Sequence, residues 1–369
     1  MAFFSATQLP LVVAITTIAT EQGHMRSSTA AALVGAAILS TLIFPFVGLA
    51  LRRRDREPAV SREHQPPRPL DATAGPSLDH GTMPRGLSAP RVAVVGHVEW
   101  IEFARVEHAP APGEIVHARE TWQEVGGGGA VAAVQLARLA GECLFLTALG
   151  DDSLGQRSKR ELEALGVRVV ASWRSEPQRR AFVHLDAGAE RTITVMGKRV
   201  GPRREDPLPW SELDGVDAVY FTAGDAGAVR AARAARNLVS TVRAIESLAE
   251  ASVPLDALVS SAKDEGERYA AGEIEPTPAL VVRTGGAAGG QVIAADGRVS
   301  EWKAAPLPGP PVDSYGAGDC FAAGLTYALG EGRSPQDALE LAARAGAASM
   351  TGRGPYEGQL RTADNPPSG

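Results

Sequence analysis

The sequence predicts a doubly wound α/β protein, built on a mostly parallel sheet with helices on both faces. Short apolar runs alternate with helical patterns from residue 91 onward, and glycine ends several of these runs. Two stretches of alternating polar and apolar residues interrupt the series. With 44% hydrophobic and 22% charged residues, the chain has the composition of a globular protein with a core.

The elements follow one another along the chain. Short apolar runs bounded by glycine or polar residues predict strands at 91–96, 143–150, 167–172, 218–224 and 279–285. Amphipathic or alanine-rich stretches between them predict helices at 129–141, 154–166, 228–236 and 244–251. The alternating stretches, near 113–125 and 180–196, predict half-exposed strands that form a small β lid over a site at the edge of the sheet. We therefore expect one domain over 91–356 and a disordered tail over 357–369.

The N-terminal segment 1–54 differs from the rest of the chain. Thr29–Leu51 runs 23 residues without a charge, which is long enough to span a bilayer, and arginines follow at once. We interpret it as a hydrophobic, transmembrane helical hairpin that associates with a membrane through residues 1–51 and leaves the remainder in the cytoplasm. The alternative is a buried hydrophobic hairpin in a soluble protein. Residues 1–51 also resemble the last two membrane helices of cation/proton antiporters.

Residues 55–90 are rich in Pro, Arg, Asp, Ser and Gly, and they predict a disordered linker. Met83 lies within this linker and would make a natural start for an independent protein. We therefore hypothesise that the functional unit begins near Met83.

Several functions are disfavoured by composition and motifs. A net charge of -6 argues against a general nucleic-acid-binding surface. The two cysteines match no metal spacing and indicate a reduced compartment. The first strand lacks G-x-G-x-x-G after it, which argues against a dinucleotide enzyme, and no P-loop lysine motif is present.

Three glycine clusters are candidate anion or ligand sites. Gly316, Ala317 and Gly318 precede Asp319 and a helical run, so backbone N–H groups and the helix dipole could receive a phosphate. Asp319 could instead only cap that helix. The clusters at 284–290 and 125–129 could receive a nucleotide or a polar ligand, or they could be a hairpin and a hinge.

The order of these motifs resembles the ribokinase (PfkB) family of carbohydrate kinases. The pieces that carry the resemblance lie at 92–96, 112–116, 126–141, 148–156, 162–167, 284–290, 312–325 and 338–354. The resemblance implies a ribokinase-like fold and ATP-dependent phosphoryl transfer to a hydroxyl group of a sugar or polyol. It also implies Mg²⁺ with the ATP, a monovalent cation as a further ligand, and a homodimer through the lid.

The resemblance assigns roles to particular residues. Asp319 would be the general base, with Gly316, Ala317 and Gly318 as the anion hole for the transferred phosphoryl group. The remaining implied residues are Thr284, Gly286 and Gly289 for ATP, Glu99, Gly126 and Gly127 for the substrate, and Asp264 and Asp313 for metal or loop ordering.

The sequence departs from the family on the substrate side. The family's Asn-x-Asp becomes Glu99 and Ile101, and the lysine and asparagine of its glycine motif become Gly128 and Val131. The family's N-x-x-E survives only as Ser261–Asp264, where Asp264 or Glu265 could substitute. We infer a substrate other than ribose.

Two further points concern function. Arg179, Arg180 and Arg191 on the lid could meet an anionic substrate, or they could be solvated surface residues. Cys320 is expected to pack rather than react, because no base partner is evident. The alternative function is a non-catalytic, membrane-tethered ligand sensor on the same fold.

Overall fold

The computed structural model describes residues 89–362 and, before them, residues 20, 26, 28 and 29. The chain divides into two units, Met1–Thr82 and Met83–Gly369. In the first unit, the N–H of Thr29 donates to the carbonyl of Arg26 at 3.0 Å. Apart from these positions and residues 89–90, the predicted hairpin and linker lie outside the described residues. Within the described residues, we find no helix with the length and apolar character needed to cross a membrane.

The second unit alternates strands and helices. Its strands are β1 Val92–Gly96, β2 Glu99–Arg105, β3 Glu120–Gly126, β4 Cys143–Gly150, β5 Val167–Arg174, β6 Arg180–Leu185, β7 Arg191–Met196, β8 Ala218–Phe221, β9 Asn237–Thr241, β10 Ala257–Ser261, β11 Leu280–Thr284, β12 Gly290–Ala294 and β13 Val299–Trp302. Its helices are α1 Gly128–Ala140, α2 Ser153–Ala164, α3 Ala226–Ala232, α4 Ile245–Ala251, α5 Ala317–Gly330 and α6 Pro335–Ser349.

The main sheet has nine strands in the order β13-β12-β11-β10-β9-β8-β1-β4-β5. The seven strands from β11 to β5 run parallel, and only the β12–β13 hairpin at one edge is antiparallel. The predicted, mostly parallel α/β sheet is therefore confirmed. Strand β1 lies in the interior of the sheet, with Val94 paired to Phe145 on one side and to Tyr220 on the other.

Helices cover both faces of this sheet. Val94 joins one hydrophobic cluster with residues of α1, α5 and α6, whereas Val95 joins a second cluster with residues of α3 and α4. Helices α5 and α6 approach closely at Gly324, where a Cβ would stand 3.0 Å from the Cα of Ala342. A strand buried on both faces needs apolar residues at successive positions, which explains the continuous apolar runs.

A second sheet forms the lid, in the order β3-β2-β6-β7. It packs on the core through Phe103 of β2 and Trp122 of β3, whose rings stack 4.7 Å apart. The lid strand predicted from residue 113 begins only at Glu120, because a turn at Gly113 (φ 85°) and irregular backbone occupy 113–119. Strand β2, not assigned to the lid from sequence, supplies its central pairing.

The predicted tail also begins later than expected. Gln359 Nε2 donates to the Val131 carbonyl at 3.1 Å, and Gln135 Nε2 donates to the Leu360 carbonyl at 2.9 Å. Residues 357–362 are therefore ordered against α1, and the assignment of 357–362 to a disordered tail is wrong. The polar sequence of 357–362 does not indicate this packing. The contacts with α1 depend on the side-chain amides of Gln135 and Gln359, which lie far apart in the sequence.

Candidate active site

Asp319 is the third residue of α5, directly after a left-handed turn. Gly316 caps the helix with φ 81°, a conformation that favours glycine. The N–H groups of the first helical turn have no partner within the helix. A Cβ at Gly318 would meet no atom within 4 Å, so this turn borders open space. This open helix start lies next to the carboxylate of Asp319, and helix N-termini favour anions.

The surroundings of Asp319 favour the protonated form of its carboxyl more than water does. Burial, together with the neighbouring charge of Glu267, raises the pKa of its carboxyl to about 7. Arg191 and Arg243 oppose this shift. No N–H group at the start of α5 donates a hydrogen bond to its carboxylate in the described chain, so the capping alternative has no support. A carboxylate with a pKa near neutrality suits proton abstraction.

Asp313 orders the loop that carries Asp319. Its Oδ1 accepts the N–H of Tyr315 at 2.8 Å, and its Oδ2 accepts the N–H of Gly354 at 3.1 Å. Asp313 is fully buried, and burial raises its pKa. Both carboxylate oxygens thus accept backbone N–H groups. Of the two roles expected for Asp313, metal binding and loop ordering, these contacts support loop ordering.

Tyr315 connects this loop to the start of α1. Its hydroxyl accepts the N–H of Gly127 at 3.0 Å. A Cβ at Gly127 would stand 2.8 Å from the Glu99 nitrogen, and one at Gly126 would stand 2.7 Å from an Ile101 side-chain carbon. Glycine is therefore required at both positions, and the predicted substrate residues lie beside the loop of Asp319.

Glu99 is buried in the same cleft. Its Oε1 lies 2.8 Å from Arg179 Nε, in an ion pair in which the N–H is not aimed at the oxygen. Its other neighbour is His97, with Nε2 3.8 Å from the same oxygen. Burial raises the pKa of Glu99, and Arg179 opposes this shift. Burial, together with nearby arginines, lowers the pKa of His97, so His97 is neutral.

The residues that depart from the family pattern pack rather than bind. A Cβ at Gly128 would stand 2.8 Å from Asp319 Oδ1 and 3.7 Å from His97 Cε1. Val131 lies under the catalytic loop, with its Cγ1 3.0 Å from where a Cβ of Gly316 would stand. Ile101 is fully buried in the core. These three positions therefore carry no polar side chain.

The predicted ATP residues lie at the end of β11. Thr284 Oγ1 donates to the Ser260 carbonyl at 3.1 Å, and the chain then turns through Gly286–Ala288. Gly286 and Gly289 both have positive φ, and a Cβ at Gly289 would stand 2.2 Å from the Trp302 carbonyl oxygen. Gly286 is exposed and Gly289 is buried against the hairpin, so the turn offers exposed backbone at Gly286–Ala288, at the carboxyl end of a parallel strand where ligands of such sheets gather.

Asp264 does not lie free to bind a metal. Its Oδ2 lies 2.6 Å from Arg243 Nη2, and its Oδ1 accepts the N–H of Gly266. Glu267 also pairs with Arg243. The described residues contain no group of three or more metal-ligating side chains.

The structure separates the three arginines considered for substrate binding. Arg179 lies in the cleft beside Glu99, and Arg191 Nη1 donates to the Ser314 carbonyl at 3.0 Å. Arg180 pairs with Glu102 on the exposed surface of the lid.

Cys320 is fully buried, burial raises its pKa to about 12, and its sulfur lies 3.4 Å from Gln359 Nε2, as expected of a packing residue.

Sequence reasoning missed four residues of the cleft: His97, Arg199, Arg243 and Glu267. His97 directly follows the first strand, a position that could have marked it. The other three carry no local signal, because loops far apart in sequence bring them together.

The model of the pfkB family carbohydrate kinases matches residues 89–250 and 231–363. An ATP-dependent ribose-1-phosphate kinase from Halopiger xanaduensis is 27% identical over 277 residues, covering 70% of this chain and 90% of the relative.

Solved structures have the same fold. The ribokinase from Thermotoga maritima superposes with a TM-score of 0.59 at 21% identity, covering 74% of this chain and 97% of that one. The Arabidopsis thaliana ribokinase, complexed with ribose and ATP, gives 0.58 at 20% identity, covering 75% and 97%. The family match spans the strands, the lid and the Asp319 loop together. The chain therefore belongs to the pfkB family of carbohydrate kinases.

Proposed function

We propose that the chain transfers the γ-phosphoryl group of ATP to a hydroxyl group of a sugar or sugar-like substrate, with Asp319 as the general base. One observation carries this assignment. A carboxyl with a pKa of about 7 stands on the first turn of a helix that borders open space at Gly318.

The residues divide the reaction between them. Asp319 takes the proton of the substrate hydroxyl, whose oxygen then bonds to the γ-phosphorus as the bond to the β-phosphate oxygen breaks. The products are a phosphate ester and ADP, and the proton on Asp319 returns to solvent. The N–H groups at Ala317 and Gly318 stabilise charge on the transferred group. When bound, ATP would supply that group, and Mg²⁺ would neutralise its phosphates.

The remaining residues position the two substrates. Thr284, Gly286 and Gly289 would hold the nucleotide, and Glu99, Gly126 and Gly127 would hold the acceptor. Asp313 positions the catalytic loop through its two backbone contacts. Holding two reactants in line is itself a large part of phosphoryl-transfer catalysis.

Two acceptor classes are supported by the relatives. One relative is named for ribose 1-phosphate, and the plant ribokinase was solved with ribose. A neutral sugar and a phosphorylated sugar are therefore both candidates. The packing residues at Ile101, Gly128 and Val131 distinguish this pocket from the family's ribose pattern and favour another acceptor.

A homodimer through the lid is a second part of the proposal. Strand β7 lies at the edge of the lid sheet and exposes Ile193, Val195 and Met196. An uncovered edge strand with apolar side chains favours pairing with another copy.

The altered acceptor pocket motivates one competing function, a non-catalytic sensor on this fold. The test is ATP consumption by the full chain across neutral sugars, sugar phosphates and polyols. We expect turnover with at least one compound, and a loss of about 10²–10⁴-fold in Asp319→Asn. Equal rates for parent and variant on every compound, with ligand-dependent thermal shifts in both, would support the sensor.

A further inference from the structure

The turn between lid strands β6 and β7 contacts the loop that carries Asp319. Ser314 lies in that loop and is only 5% exposed. Its N–H donates to the carbonyl of Ala189 at 3.2 Å, and its carbonyl and hydroxyl oxygens accept Arg191 Nη1 at 3.0 and 3.3 Å. Every polar group of this buried serine is therefore bound by one hairpin of the lid.

The turn, residues 186–190, is ordered by its own contacts. Asp186 Oδ1 accepts the N–H groups of Gly188 and Glu190 at 2.8 and 2.9 Å. The Asp186 carbonyl accepts the N–H of Ala189 at 3.1 Å. Ala189 has φ 63°, a conformation that is unfavourable for alanine, and the residue is buried. A turn fixed in this way presents its donor and its acceptor to the loop together.

Ser314 is connected to both parts of the proposed catalytic loop. The preceding residue, Asp313, orders the loop by accepting two backbone N–H groups. The Ser314 carbonyl that binds Arg191 also accepts the N–H of Ala317, the first residue of α5, at 3.5 Å. Arg191 and the start of this helix therefore meet on one oxygen, and Asp319 follows two residues later.

Arg191 also acts on the charge of the proposed base. Burial and the charges of Glu267 and Glu99 raise the pKa of Asp319, whereas Arg191 and Arg243 lower it. Moving Arg191 away would therefore favour the protonated carboxyl, which cannot accept a proton from a substrate. The hydrogen bonds and the charge thus have the same effect, because both prepare the base while the turn contacts Ser314.

We propose, resting on the kinase function above, that Arg191 is a positioning residue, and that Asp319 is set for reaction only while the β6–β7 turn is docked on Ser314. Undocking would break three hydrogen bonds to one buried residue, whose N–H and oxygens would then need water. Movement of the lid is thereby coupled to the position of the base. Arg191 is an exposed residue, so loss of its guanidinium opens no cavity in the core.

Arg191→Met in the full chain removes the charge and the donors but keeps an aliphatic side chain. Arg180→Met is the matched control, because Arg180 lies on the neighbouring strand β6 and pairs with Glu102 on the lid surface. We expect Arg191→Met to lower kcat by about 10- to 100-fold with the KM for ATP unchanged, because a slightly misplaced base loses rate on this scale. The apparent pKa of the kcat/KM profile should rise. Arg191→Lys keeps the charge and a donor, so it should recover part of the rate.

Hydrogen exchange of the protein without substrates tests the contact independently of any reaction. Exchange over residues 312–319 should be faster in Arg191→Met than in the parent, and Arg180→Met should match the parent. Equal exchange in the two variants would refute the docking, and faster exchange with an unchanged kcat would refute the positioning role. If the parent phosphorylates no compound, the kinase function fails, and exchange over 312–319 still decides whether the lid holds this loop.

Discussion

The carboxylate of Asp319 occupies the space that a side chain at Gly128 would need. Asp319 Oδ1 lies 2.8 Å from the position of a Cβ at Gly128, closer than real Cβ atoms approach an oxygen. The family pattern has lysine at this position. In this chain the proposed base and a side chain at residue 128 therefore compete for one place, and glycine leaves the carboxylate undisturbed.

Gly128→Ala is expected to reduce kcat by at least about tenfold because a misplaced general base loses much of its contribution. The methyl group would push the Asp319 side chain aside rather than strain the backbone. Stability should change little, since the displaced atom is the end of a side chain. Steady-state kinetics and thermal unfolding measure the two effects. Gly309→Ala is the control, because a Cβ there makes only ordinary contacts at 3.9 Å with Thr351. Equal kcat in both variants would contradict the steric argument.

The pH dependence of activity should report Asp319. A base acts when ionised, so kcat/KM should rise with pH through an apparent pKa near 7. Glu267 raises the pKa of Asp319, so in Glu267→Gln the rise of kcat/KM with pH should shift to lower pH. Glu301→Gln, on the β12–β13 hairpin, should leave it in place. If the apparent pKa of the kcat/KM profile is the same in Glu267→Gln as in the parent, Asp319 is not the titrating group.

Asp319 should also make stability depend on pH. Its folded pKa of about 7 exceeds the unfolded value of 3.8, so between these values the folded state binds more protons. Its contribution to stability is therefore full below pH 3.8 and is lost as pH rises through 7. Asp319→Asn does not titrate, so its Tm relative to the parent should increase from pH 5 to pH 8. A Tm difference that is constant over this range would contradict the shifted pKa.

Asp313→Asn is expected to destabilise the fold and slow the enzyme together. The new NH₂ group would face one of the two backbone donors, Tyr315 N or Gly354 N, that the carboxylate accepts. A buried donor left unpaired costs about 1–3 kcal/mol, measurable by urea unfolding. Asp296→Asn, in an exposed turn, should cost less than about 0.5 kcal/mol. Equal stabilities for the two variants would show that the loop does not depend on Asp313.

Local sequence patterns predicted the framework of the site. The apolar runs placed β1, β4 and β11, and the glycines at 316 and 318 marked the turn before Asp319, because backbone conformation is dictated by nearby residues. The lid was predicted only in part. Strand β2 is buried on both sides, so it lacks the polar and apolar alternation that marked the other lid strands.

The cationic part of the cleft could not be predicted in the same way. Arg199 and Arg243 lie in separate connections, and only the folded chain shows that one donates to the carbonyl of the other. The family resemblance implied a metal role for Asp264 at the family's N-x-x-E, but in the folded chain its carboxylate pairs with Arg243. Which charged side chains pair with one another depends on the folded structure, and the order of residues along the chain does not indicate it.

The contacts of residues 350–359 make the order of the Asp319 loop depend on a segment beyond α6. Met350 accepts the N–H groups of Val312 and Asp313, Gly354 donates to Asp313, and Gln359 donates to the Val131 carbonyl of α1. The loop that carries Asp319 is therefore held by residues that follow it only after two further helices. A change that loosens 350–359 would thus displace the proposed base without touching it.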